Sequence, residues 1–434
     1  MGLTGRHTYV GFGFGPLQAG LFLYEAFRSG NFRRLVVVEV LPTVVDQLRD
    51  ANGMFRVNLA HADRVESVEV GPVEIFSPSL SEDREQIAAA LSDAQEIGTA
   101  IPGVDFYSTA GPASLHYIMA GGLIRKVLRC GPPAVVYAAE IHHDAAESLD
   151  RVVLQQVPEH FRERVQANVQ FLNTVVGKMG GVVTDPASHG LAPVTPDAPR
   201  AFLAEALDWA LVSKIFLPEF ERGIGVFTEK ENLLPFEEAR LFGHYATHAL
   251  AGFLGKFAGV RRMTDLRTAP GLMAFLRDAF LLESGESLIR KHKGADDLFT
   301  PEGFRSYADD LLQRMTNPFL MDTTDRVCRD PARKLRWEDR LTGTLRLALS
   351  QDVEPRRYAL GAAAALAVLN PDYLGGKTLA AELLRPIWQP DQPSSAESEA
   401  VLDLIKDAAK LLRRWQDAKF PDLGAFFNEW KSKP

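Results

Sequence analysis

The sequence predicts an α/β plus α protein, with a parallel-sheet half followed by an all-helical half. Three observations carry this. The N-terminal part alternates short apolar runs of β type with helical patterns, as a parallel sheet requires. From Ala201 onward the pattern is almost entirely helical. At 434 residues the chain is long enough for two or three domains, each with its own core.

Residues 7–11 predict a first strand, 11–15 a glycine turn, 16–28 a helix and 35–40 (LVVVEV) a second strand, together one βαβ unit. The runs 73–76, 104–108 and 134–137 predict further buried strands, separated by helices over 83–91 and 115–128. Residues 185–198, rich in Pro, Asp and Gly, predict a loop. Helices are then expected over 202–213, 236–256, 272–283, 304–314, 341–350, 355–369 and 400–419, with a polar loop at 389–399. The composition changes near 195–230, which sets the expected domains at 1–215 and 216–434.

Gly11-Phe12-Gly13-Phe14-Gly15-Pro16 follows a predicted strand and opens a helix. Glycines in that position allow a tight turn and let backbone N–H groups approach a pyrophosphate at a helix N-terminus. Gln18 stands where a third glycine would fall if the motif starts at Gly13. Glu39 closes the second strand, where a carboxylate can accept hydrogen bonds from ribose hydroxyls and repel an extra phosphate. Thr109 and Gly111 lie in a second small-residue turn that could border the same ligand. A Rossmann-type dinucleotide-binding domain preferring NAD over NADP is the expectation.

The stretch 241–255 contains no Asp, Glu, Lys or Arg, yet carries His244, Tyr245, Thr247 and His248. A helix without charge on any face is normally interior. At roughly 100° per residue, Arg240, His244, Tyr245 and His248 share an arc of about 140°. Buried donors need partners, so four polar side chains on one arc point to a ligand or a cleft.

A net charge of −8 without a basic stripe argues against nucleic acid. No uninterrupted apolar stretch of about 18 residues suggests a membrane span, and no signal peptide is visible. Cys130 and Cys328 form no metal or redox spacing and fit reduced thiols in a cytoplasmic protein.

Five segments carry a resemblance: FGFGPLQAG (12–20), STAGP (108–112), ENLLPFEEARLFGHYATHALAGFLG (231–255), NPFLMDTTDRVCRDPARKL (317–335) and DRLTG (339–343). Through them the chain resembles the polyol-specific long-chain dehydrogenases. The resemblance implies a small-molecule substrate (a polyol, keto sugar or sugar phosphate) bound between the two domains, no metal, and a monomer or weak homo-oligomer. In that family the interior helix reads Lys-x4-Asn-x2-His, the lysine being the general base and the Asn and His holding the substrate oxygen. Here the frame reads Arg240, Tyr245 and His248. An arginine stays charged at any working pH and is a poor base. The family's Asn after an acidic residue becomes Ile141 after Glu140, and its Val-Asp-Arg becomes Val176-Gly177-Lys178. Arg326 fits a family arginine that contacts substrate, while Arg329, Arg333 and Lys334 could add charge for a phosphate.

Three functions are open to such a chain. It is an NAD-dependent oxidoreductase with a rearranged acid–base, Tyr245 beside Arg240 or the histidines His248 and His244 moving the proton. Alternatively it is a catalytically silent relative that binds NAD as a sensor or scaffold. Least economically, His244 and His248, spaced i, i+4, hold zinc, with His142-His143 as further candidates.

Overall fold

The computed structural model describes residues 5–109, 111–140, 142, 144–206, 210–391 and 394–431, the last two by backbone alone. The chain divides into two units, Met1–Leu234 and Pro235–Pro434.

In the first unit the strands are β1 (His7–Phe12), β2 (Phe32–Val38), β3 (Phe55–Ala60), β4 (Val65–Val70), β5 (Glu74–Phe76), β6 (Glu96–Thr99), β7 (Ala134–Ala138), β8 (Val169–Val175), β9 (Gly180–Thr184), β10 (Arg200–Glu205), β11 (Ala210–Ser213) and β12 (Phe227–Lys230). One sheet runs β12-β11-β8-β7-β6-β1-β2-β5. From β5 to β8 every pairing is parallel. Read in that direction, the chain order is 3-2-1-4-5-6 within the parallel part, that of the doubly wound dinucleotide-binding fold. The order reverses between β1 and β6, so the C-terminal ends of those strands bound the crevice where such sheets bind ligands. Helices Ser81–Asp93 and Leu115–Leu128 cover one face through Ile87, Leu91, Met119 and Leu123.

Some sequence expectations are corrected here. Residues 104–108 form a 3₁₀ turn, and the strand beside β1 is Glu96–Thr99. That strand is short and contains Gly98, where a Cβ would come within 2.2 Å of the Tyr9 phenol oxygen. A glycine chosen for close packing therefore hid the strand. The helix expected at 202–213 is β10 followed by β11, with 207–209 outside the described residues. Its near-continuous apolar run suits a buried strand as well as a buried helix. Here the backbone of β10 pairs with β3 on one side and β9 on the other, in a four-stranded sheet β4-β3-β10-β9. Because β12 pairs with β11, residues past 215 still belong to the sheet. The polar segment 389–399 is a loop only in part, since Ser394 caps a helix beginning at Ser395 by accepting from Glu397 N–H at 3.3 Å.

Apart from an isolated bridge between Arg262 and Thr323, the second unit is helical among the described residues. Its core is built on the helix Ala246–Phe257, with Ala246, Leu250, Phe253 and Leu254 fully buried, and on Arg356–Leu369 and Ser395–Asp417 packed around it. Among the described residues, no helix is long and apolar enough to cross a membrane.

Candidate functional site

In the first unit the glycine turn leaves β1 at the switch point. Gly13 has φ +83°, donates its N–H to Val38 O at 2.9 Å, and would place a Cβ 2.9 Å from Ala100 O. Beside Gly15 a Cβ would meet nothing within 4 Å, so the turn is tight at one glycine and open at the other. Gly11 is bare for a different reason. Gln18 folds under it, fully buried, and donates to the Tyr9 phenol oxygen at 2.7 Å. Of the residues expected to hold a dinucleotide, Gln18 thus lies beneath the turn and supports it.

Glu39 shapes the same turn. Its carboxylate accepts from Phe14 N–H at 2.8 Å, and from Val40 and Leu41 N–H at 2.7 and 2.9 Å. A carboxylate offers about four acceptor positions, so room for a hydroxyl donor is left. Thr109 and Gly111 follow the 104–108 turn; both are exposed, and Gly111 has φ +57° with open space around its Cα. The glycines, the switch point and the acidic residue beside them fit a dinucleotide's phosphates and ribose.

Glu140, at the end of β7, is buried. It accepts from Thr99 Oγ1 at 2.9 Å, Tyr107 OH at 2.6 Å and Ile101 N–H at 3.1 Å. Burial raises its pKa from the ordinary carboxylate range, against the pull of those three bonds. It thereby ties the ends of β6 and β7 to the 104–108 turn. Ile141 and His143 lie outside the described residues, and His142 Nδ1 accepts from Asp144 N–H at 3.1 Å. Lys178 lies over the Tyr24 ring at 5.8 Å.

The helix 234–257, free of charged residues over 241–255, carries the second unit's candidate residues, and its segment Ala239–Tyr245 is π-helical. This changes the geometry drawn from a regular α-helix. In a π-turn i and i+5 are bonded neighbours, whereas on an α-helix they diverge. Arg240 and Tyr245 stand five apart, and Arg240 Nε donates to the Tyr245 phenol oxygen at 2.9 Å, with the guanidinium carbon 5.2 Å from the ring centroid. Arg340 lies against the same ring at 5.1 Å. It is brought there by Thr344, whose Oγ1 donates to Phe242 O at 3.2 Å, and by Gly343, where a Cβ would stand 2.5 Å from the Phe242 ring.

His244 is buried, edge-on to Tyr245 at 5.3 Å, and its Nε2 has no hydrogen-bond partner among the described residues. Burial first, then the charges of Arg314, His248, Arg240 and Arg340, push its pKa well below the ordinary value. Tyr307 faces the same cations, with burial pushing its phenol up.

His248 Nε2 lies 3.4 Å from Asp322 Oδ2. Asp322 also accepts both arms of Arg326, Nε and Nη2, at 2.5 Å each. Burial works to raise Asp322, but the facing His248 and the bonds from Arg326 prevail and hold its carboxyl below the usual range. Close helix contact sets this arrangement: a Cβ at Gly252 would stand 2.4 Å from Val327, and Thr324 Oγ1 donates to Val260 O at 2.8 Å. Arg326, expected at substrate, is thus fastened to Asp322. Arg333 lies 3.6 Å from Asp330, Arg329 is exposed, and Lys334 Nζ donates to Arg329 O. Burial and then the neighbouring Arg340 and Arg333 lower Lys334 to about 8.

Asp322, Arg340, Arg314 and Tyr307 were not singled out from the sequence. Asp322 and Arg340 lie inside the recognised segments 317–335 and 339–343, but nothing local ties either to the 234–257 helix. No group of three or more metal-ligating side chains occurs among the described residues, so the zinc reading has no ligand set there.

Residues 232–409 match the mannitol dehydrogenase C-terminal domain. It is 26% identical over 418 residues to mannitol-1-phosphate 5-dehydrogenase of Brevibacillus brevis, covering 94% of this chain and 98% of that one. With the enzyme of the same name from Geobacillus thermodenitrificans it shares 29% over 333 residues, 76% and 79% of the two chains. Among solved structures, D-sorbitol dehydrogenase in substrate-free form superposes with a TM-score of 0.74 at 15% identity, covering 96% of this chain and 94% of that one. Pseudomonas fluorescens mannitol 2-dehydrogenase, in ternary complex with NAD and D-mannitol, superposes with 0.70 at 15% identity, covering 99% and 95%. At that identity the structural likeness speaks for the fold.

Proposed function

We propose that the protein is an NAD-dependent oxidoreductase that moves a hydride between NAD(H) and a hydroxyl or carbonyl substrate of the polyol, keto-sugar or sugar-phosphate kind, with Tyr245 as the proton-transfer group. The observation that carries the reading is the Arg240–Tyr245 hydrogen bond. Arg240 donates to the phenol oxygen, so the phenol's own hydrogen is left to point elsewhere.

Gly13 and Gly15 would hold the phosphates of NAD and Glu39 its ribose, and the bound dinucleotide supplies the hydride acceptor or donor. In carbonyl reduction, Tyr245 O–H gives its proton to the substrate oxygen. The phenolate that remains is stabilised by the Arg240 N–H and by the nearby Arg340 charge. Oxidation of an alcohol runs the same step backwards. His248, oriented by Asp322, can hold the substrate oxygen or pass the proton on. The test is NADH consumption by purified protein with fructose 6-phosphate and a panel of keto sugars, with NADH binding followed by fluorescence. Turnover is the expected result; no NADH binding would remove the reading.

One observation favours a silent relative instead. Arg240 takes the place of the family's lysine, and a guanidinium does not surrender its proton in a working pH range. In that case NADH binds without turnover, and the double variant Arg240→Lys, Tyr245→Asn gains activity on a polyol.

A further inference from the structure

Resting on the dinucleotide part of that reading, we infer that Glu140 and Tyr107 are positioning residues for the half of the dinucleotide that lies away from Glu39, the nicotinamide half.

The two strands beyond the switch point, β6 and β7, are tied to each other at both ends. At their N-terminal ends Lys126 Nζ donates to Ala94 O at 2.5 Å and to Pro132 O at 2.9 Å. At their C-terminal ends the tie is the Glu140 carboxylate, buried just past β7. Ligands of a doubly wound sheet bind outside the C-terminal ends of its strands, so only the second tie stands where a ligand binds.

The groups that Glu140 holds are walls of that crevice. Its Oε1 accepts from Ile101 N–H at 3.1 Å and its Oε2 from Thr99 Oγ1 at 2.9 Å. Between those residues Ala100 donates its N–H to Phe12 O at 3.1 Å, and its own carbonyl oxygen is the atom that a Cβ on Gly13 would approach to 2.9 Å. The loop after β6 therefore abuts the glycine turn. Oε2 also accepts from Tyr107 OH at 2.6 Å. Over 104–109 only Tyr107 is buried, and its carbonyl oxygen accepts from His116 Nδ1 at 2.8 Å. One phenol and one carbonyl thus hold down the turn that leads to Thr109 and Gly111. A single carboxylate serves both walls because its two oxygens accept several donors at once.

Strand order selects the half. Glu39 follows β2, on one side of β1, where a carboxylate takes the adenosine ribose. Glu140 follows β7, on the other side of β1 with β6 between. A dinucleotide lies across the reversal of strand order, one mononucleotide to each half of the sheet. The walls fixed by Glu140 are those of the nicotinamide mononucleotide.

The experiment measures NADH and ADP binding to the full chain by fluorescence and calorimetry, with thermal melting alongside. Tyr107→Phe removes one hydroxyl and should weaken NADH about threefold to tenfold, up to the scale of one hydrogen bond to a charged group. Glu140→Leu should weaken it further. Glu140→Gln should recover most of that loss, because its amide still accepts from Ile101 N–H and donates to the two hydroxyls. ADP, which lacks the nicotinamide half, should bind these variants as it binds the wild type. Lys126→Met, at the other end of the same strands, should lower the melting temperature and leave NADH affinity unchanged. If Glu140→Leu does not fold, Tyr107→Phe decides. Unchanged NADH affinity in folded Tyr107→Phe, or an equal loss of NADH and ADP affinity, would overturn the positioning role and leave the oxidoreductase reading standing. No NADH binding by the wild type would remove that reading and the positioning role with it.

Discussion

Two sets of charged groups in this molecule are placed differently. In the first unit Lys126 is fully buried and donates to three carbonyls, Ser92 O at 3.3 Å, Ala94 O at 2.5 Å and Pro132 O at 2.9 Å. Glu96, also fully buried, accepts from Tyr137 OH and from the N–H groups of Gly223 and Ile224. Each charge there meets protein donors or acceptors on several sides and fixes neighbouring segments. In the second unit, Arg240, Arg314 and Arg340 gather around His244 and Tyr245, and one imidazole nitrogen has no partner among the described residues. The contrast teaches where to look for chemistry. A charge met on several sides by protein donors or acceptors is scaffold, while a buried imidazole nitrogen with no partner among the described residues, beside a phenol that three arginines surround, marks a place for chemistry.

Each side of that contrast can be broken. The largest effect is expected at Tyr245→Phe, which keeps the ring between the arginines and removes only the proton-transfer group. Turnover should fall about 10²- to 10⁴-fold, the usual contribution of a positioned acid or base, and unchanged turnover of the true substrate would sink the assignment.

Lys126→Met should cost about 3 kcal/mol of stability, because three carbonyls lose their donor. Its pH signature sharpens the point. Burial lowers Lys126 from 10.5 to about 7. Between those values the unfolded chain holds a proton that the folded one does not, so stability rises with pH across that window. Denaturant titrations from pH 7 to 10 should show that rise in the wild type and its loss in the variant.

A smaller cost, about 2 kcal/mol, is expected for Asp322→Asn, since Arg326 is partly exposed and solvent screens its loss. Asp322 is depressed in the folded state. Its contribution is therefore present above the unfolded value of 3.8 and disappears as pH falls through the lower folded value. The wild type should lose this increment in acid titrations below about pH 4, and the variant should lack that component. The same substitution should change His248-dependent turnover, which a structural role for Arg326 alone would leave untouched.

Smallest is Gly13→Ala, where φ of +83° and the nearby Ala100 carbonyl oppose a Cβ. About 1 to 2 kcal/mol is expected, read by thermal melting, together with weaker NADH binding. Full-strength NADH binding in a folded variant would separate this turn from the dinucleotide.

The sequence by itself determined the two-part architecture, the glycine turn with its acidic neighbour, and the long helix carrying Arg240, His244, Tyr245 and His248. These are local matters: apolar periodicity, glycine placement and the absence of charge over 241–255 follow from the order of residues alone. What it left undetermined depended on partners far away in the chain. β6 was hidden because Gly98 is there for Tyr9, and β10 because an apolar run takes its identity from the strands it pairs with. At the site, only tertiary structure could set Asp322 against His248 and Arg340 against Tyr245, since those pairs are joined by packing rather than by spacing. It also turned four residues on a helical arc into an Arg240–Tyr245 pair, because a π-turn brings i and i+5 together where an α-helix would hold them apart.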